Sequence, residues 1–76
     1  MQPRLIFDYK FFSKELRRER ELAELSMRGL ARELDMTHVT IFRIENYESI
    51  PSLDTILKFI NFLDMNIYDF FIDVYN

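Results

Sequence analysis

Residues 26–46 read SMRGLARELDMTHVTIFRIEN, and this stretch decides the fold. Ser26 is a good helix N-cap, because its hydroxyl can accept from one of the main-chain N–H groups that the first turn leaves free. Leu30, Ala31 and Leu34 then recur at i, i+1 and i+4 as one apolar stripe. Asp35 and Met36 break the pattern. Thr37 offers a second cap, and Ile41 and Ile44 follow at i and i+3 as the buried side of a second helix. Leu25 with Leu30, and Met36 with Ile41, stand in the staple positions that fix the angle of chain entry at each start. Ala31 falls where the two helices would cross, and its methyl lets the axes come close. The stretch reads as a helix-turn-helix.

The flanks read as further helices. Asp8 is a candidate N-cap stapled by Phe7 and Phe12, and Phe12, Leu16 and Arg20 share one face of a helix running roughly from Tyr9 to Ala23. Lys10, Lys14, Arg17 and Arg18 decorate its other sides as a solvated surface. After Asn46, a connection through Tyr47 and Ile50 leads to Pro51 and Ser52, the cap of a fourth helix. Leu53, Ile56, Leu57, Ile60 and Leu63 are expected to form its buried face, widened by Phe59 and Phe62. Asn66 caps a short fifth helix with Met65 and Phe70 as its staple, and Ile67, Phe70 and Phe71 would close the core. The expected class is therefore all-α with five helices. Residues 1–7 are too few for an independent element, but Leu5, Ile6 and Phe7 are too apolar for a free tail and are expected to pack on the body or on a second subunit.

Seventy-six residues make one domain, 1–76, with a small core that gains from the surface a second copy would bury. Phe70, Phe71, Ile72, Val74 and Tyr75 crowd more apolar surface together than one short helix can hide, which marks them as the expected homodimer interface. The alternative is that they fold back over Leu5 to Phe7. The chain has no cysteine and one histidine, so neither disulfides nor a cysteine-ligated metal can form, and no metal or cofactor is expected. No apolar run reaches membrane-spanning length and no signal peptide is visible, so a soluble cytoplasmic protein is expected. The net charge of −3 is unevenly spread. Residues 1–44 hold nine of the ten basic side chains against seven acidic ones, whereas residues 45–76 hold only Lys58 against six.

The stretch resembles the helix-turn-helix of the Cro and phage-repressor (XRE) family. The resemblance rests on Arg20, Ser26-Met27, Leu30-Ala31, Ile44-Glu45-Asn46 and Pro51-Ser52-Leu53, and covers roughly residues 12–72. It implies a lambda-repressor-like fold and a sequence-specific double-stranded DNA-binding regulator, a repressor acting as a dimer on a palindromic operator. It implies that the helix after Thr37 enters the major groove, with Thr37, His38, Val39, Thr40, Phe42, Arg43 and Asn46 at the DNA. Arg43 is the foremost candidate for bidentate readout of guanine. Val39 and Phe42 offer apolar contact to a thymine methyl, Thr37 is better suited to capping than to phosphate, and Arg28 on the preceding helix points at phosphate. It further implies an ion pair between Arg20 and Glu45. Two departures weaken the polar contacts: Met27 stands where relatives carry glutamine, and Gly29 where a glutamate would complete a capping box. Glu24, Asp35, Tyr47 and Asp64 occupy four positions where relatives favour glycine. The competing function is an antitoxin-like or antirepressor-like protein-interaction module that keeps the fold and meets a basic protein with its acidic half. An enzyme is not expected, since the chain has no cysteine, no metal constellation and no histidine with a carboxylate partner at motif spacing.

Overall fold

The computed structural model describes residues 3–75, without the side chains of Pro3 and Tyr75. Along the chain come β1 (Pro3–Phe7), α1 (Tyr9–Leu22), α2 (Met27–Glu33), α3 (His38–Glu45), α4 (Leu53–Leu63), a 3-10 turn (Ile67–Phe70) and β2 (Phe71–Tyr75). Each expected cap forms. Asp8 Oδ1 accepts from the Phe11 N–H at 3.0 Å, Ser26 Oγ from Gly29 at 2.9 Å, Thr37 Oγ1 from Thr40 at 3.3 Å, Ser52 Oγ from Thr55 at 3.3 Å, and Asn66 Oδ1 from Tyr68 at 3.0 Å.

The helices also share one way of stopping. Glu24, Asp35, Tyr47 and Asp64 have φ of 59°, 54°, 61° and 53°, the left-handed conformation that glycine adopts most cheaply. Immediately after each, an N–H reaches back to the last turn: Leu25 to Arg20 O at 3.1 Å, Met36 to Ala31 O at 3.0 Å, Glu48 to Arg43 O at 2.8 Å, and Met65 to Ile60 O at 3.0 Å. These are Schellman closures, which satisfy carbonyls the helix end would otherwise leave free. Tyr47 is the costly one, because a bulky side chain disfavours this region more than an aspartate does.

The core is built from Phe12 and Leu16 of α1, Leu30 and Ala31 of α2, Ile41 and Ile44 of α3, Ile56, Phe59 and Ile60 of α4, and Phe70. The α4 face differs from the expected one. Leu53 and Leu57 are exposed, and Phe59 turns inward to meet Phe12 at a ring-centroid distance of 6.2 Å, which rotates the buried stripe onto residues 56, 59, 60 and 63.

The larger correction lies at the end of the chain. The fold is not an all-α bundle of five helices: the expected fifth helix is a single 3-10 turn, after which the backbone extends into β2 and pairs antiparallel with β1. The register matches Arg4 with Val74, Leu5 with Asp73, Ile6 with Ile72 and Phe7 with Phe71. β-Branched Ile72 and Val74 suit an extended strand better than a helix, and the apolar run Leu5 to Phe7 supplies the partner. Ile72 and Val74 thus fold back along residues 4–6. Phe70 is 3% exposed and packs on Phe12 and Phe11 with centroids 5.2 and 5.5 Å apart, so it serves this chain's own core and has no surface left for an interface. The role expected of the Tyr75 side chain lies outside the described residues. Among the described residues no helix is long and apolar enough to cross a membrane.

Candidate nucleic-acid interface

The outward side of α3 is positioned from beneath. Ile41 and Ile44 sink into the core, and Glu45, only 5% exposed, anchors the end of the helix to α1. Arg20 Nε donates to Glu45 Oε2 at 2.7 Å and Nη2 to Oε1 at 3.0 Å, while Nη1 donates to the Leu25 carbonyl at 2.8 Å. The planar guanidinium therefore meets the carboxylate fork to fork and spends a third donor on the loop before α2. The two hydrogen bonds to Glu45 hold Arg20 more firmly protonated than an ordinary arginine, against the opposite pull of burial. One side-chain cluster thus fixes α1, the α1–α2 loop and α3 together. The ion pair implied by the resemblance is present and buried.

On the other side of α3, Val39, Phe42 and Arg43 are exposed, and His38 and Thr40 half-exposed. Arg28 and Arg32 of α2 line a shallow depression with Thr37, His38 and Val39, so five polar and apolar side chains from two helices converge on one surface. Two expected contacts are partly occupied by structure. Thr37 caps α3 and its hydroxyl also shares a 3.0 Å hydrogen bond with Thr40, and the Asn46 amide donates to the Phe42 carbonyl at 2.8 Å, capping the other end.

Ion pairing separates these cations from the arginines of α1. On α1, Arg17 pairs with Glu21 at 3.6 Å, and Arg18 with Glu15 at 3.4 Å and Glu19 at 3.6 Å. Among the described residues, Arg28, Arg32 and Arg43 make no ion pair. Arg4, Lys10, Lys14 and Lys58 make none either, so the helix-turn-helix holds three of the seven cations left for an anionic partner, on a chain of net acidity.

One feature escaped the sequence. Lys10 sits with its Nζ 5.6 Å from the centre of the Tyr47 ring, in a hollow shared with Tyr9, Ser13, Ser49 and Ile50 beside the end of α3. No local pattern pairs residues so far apart along the chain. The only available hint was an aromatic side chain at a position that relatives give to glycine.

These features define a lambda-repressor-like helix-turn-helix domain with a short two-stranded sheet appended. The chain belongs to the helix-turn-helix family of Cro/C1 (XRE) type, whose sequence model matches residues 16–70, and membership implies DNA binding. A comparison with curated proteins finds no match.

Proposed function

We propose that the protein is a sequence-specific, double-stranded DNA-binding transcriptional regulator that represses by occupying a palindromic operator as a dimer. The observation that carries this is the exposed face of α3. Among the described residues Arg43 and Arg28 make no ion pair, and α3 is held to α1 by the buried pair while a third bond from Arg20 holds the loop that leads into α2. A guanidinium with two parallel donors suits the O6 and N7 acceptors of guanine, and Val39 and Phe42 beside it suit a thymine methyl. Arg28 and Arg32 lie where the approach of a phosphate backbone would use them, and Thr37, His38, Thr40 and Asn46 complete the polar surround. Occupying the groove of an operator is enough to block a competing protein, so repression needs no further domain.

Selection of bound duplexes from a random-sequence pool tests this. Enrichment of one palindrome, followed by a gel shift with the selected site, is the expected result. Absence of enrichment at low salt, where phosphate attraction is strongest, would remove the proposal in favour of a protein-interaction module built on the same fold.

A further inference from the structure

The β1–β2 ribbon is built unlike the rest of the domain. Phe7 packs its ring on Phe12 and Phe70 at the base of the ribbon, but beyond it the strands contact chiefly each other, and the molecule is drawn out to 45 Å along one axis against 23 and 19 Å across. Leu5 is 68% exposed, and Ile6, Phe71 and Ile72 are exposed as well. A two-stranded ribbon on its own is marginal in water, and further strands are what stabilise one.

The register shows which edge can take another strand. The Asp8 N–H donates to Phe70 O at 2.7 Å, and hydrogen-bonded pairs alternate along an antiparallel ladder. The bonds between the strands therefore fall at Ile6 with Ile72 and Arg4 with Val74, and the main-chain groups of Leu5 and Phe7 face away from β2. On β2 the outward groups belong to Phe71 and Asp73, but the Phe71 N–H already donates to Tyr68 O. A two-fold pairing centred on Asp73 would also set two carboxylates opposite each other. Pro3 lacks an N–H, which spoils any β1 register that needs it.

One arrangement avoids all three faults. We infer that a second copy of this chain joins through β1, antiparallel about a two-fold axis at Ile6, to give one four-stranded sheet in the order β2, β1, β1 of the second copy, β2 of the second copy. Leu5 then exchanges main-chain hydrogen bonds with Phe7 of the other copy. Arg4 comes opposite the other copy's Asp8, whose carboxylate caps α1 through one oxygen and leaves the second free. Ile6 meets its own counterpart, and because Ile72 already lies beside Ile6, four isoleucines cross the sheet in one row. This inference rests on the dimer proposed above and names the surface that makes it.

The chain has no cysteine, so a single introduced thiol reports on its own contacts. Ile6→Cys would place two thiols across a non-hydrogen-bonded antiparallel pair with Cα atoms about 4.5 Å apart, inside the range a disulfide spans. Mild oxidation at tens of micromolar should convert Ile6→Cys largely to a covalent dimer and leave Ile72→Cys largely uncross-linked. The reverse pattern would assign the contact to β2 and overturn the inference. If neither variant cross-links while sedimentation still gives a dimer, the ribbon pairing fails and the dimer stands; a wild-type monomer at the same concentration removes both. Leu5→Pro gives an independent check, because the N–H it deletes faces away from β2 and the ladder within the chain does not use it. It should weaken the dimer roughly tenfold while the helical circular dichroism is retained, and an unchanged dimer would overturn the inference.

Discussion

The helix-turn-helix and the β ribbon hold together by opposite means. Between α1, α2 and α3 the contacts are buried, short and directional: a fork-to-fork ion pair, a third bond to the Leu25 carbonyl, and isoleucines with no exposed surface. In the ribbon the contacts are main-chain bonds between two strands with half-exposed apolar side chains on them. The first region spends its specificity internally and presents a fixed outer face. The second leaves hydrogen-bonding groups and apolar area unspent. A rigid region can read a partner whose shape is constant, such as a DNA groove, and an unfinished edge can only be completed by another chain.

The largest test of this contrast is to break the ion pair. Glu45→Gln or Arg20→Met leaves one buried charge without its counterpart, at a cost of roughly 3 to 5 kcal/mol. For a domain of this size that lowers the melting temperature by more than about 10 °C. Thermal melts of both single variants that stay within a degree or two of wild type would show that the buried pair adds no net stability.

A smaller effect is expected at the DNA face, where the free energy of folding is hardly involved. Arg43→Ala should weaken binding to the selected site by roughly 1 to 3 kcal/mol and relax preference at one guanine. Arg28→Ala should weaken cognate and random duplex alike and flatten the salt slope by about 1. Titrations at several salt concentrations separate the two, and an equal loss on both duplexes for Arg43→Ala would make it a phosphate clamp.

Within the ribbon, Ile72→Asp should cost the single chain less than about 1 kcal/mol, because it disturbs one half-exposed cross-strand pair. Hydrogen exchange should show residues 4–7 and 71–74 opening first while the α1–α3 amides stay protected. Uniform loss of protection would mean the ribbon is a working part of the core. The smallest change concerns a helix stop. Asp64→Gly relieves a left-handed residue, worth about 1 to 2 kcal/mol, at an entropic cost of roughly 0.5 to 1, for a net gain between about zero and about 1.5 kcal/mol with DNA binding unchanged. A lowered melting temperature would show that the Asp64 side chain contributes more than its backbone strain costs.

What could be read in the sequence follows the same division. Caps and staples depend on residues within five positions of one another, so Asp8, Ser26, Thr37, Ser52 and Asn66 were legible, whereas the four non-glycine stops were marked only by the resemblance to relatives that carry glycine there. The pairing of Arg20 with Glu45 was legible only through the family resemblance, since the apolar pattern marks buried faces but joins no residues of different helices. The ribbon was not: strand formation at Phe71–Tyr75 depends on a partner at the other end of the sequence, and the short run Phe70 to Tyr75 carries no period long enough to separate strand from helix. The rotation of α4 was hidden for a related reason. Seven apolar residues on an eleven-residue helix allow more than one inward face, and the choice falls to Phe12, a residue of another helix.

The bond from Arg20 to Glu45 has a mechanical consequence. β1 runs into α1 through the single residue Asp8, and α1 is pinned to the end of α3 by that bond, so the edge strand and α3 are joined as one strut without a long linker between them. In a pair of chains joined at Ile6, two such struts meeting at the axis would act as a ruler. The separation of the two α3 helices, and with it the half-site spacing an operator must offer, would then be set by covalent geometry and one buried salt bridge, with no adjustable linker to soften the measurement.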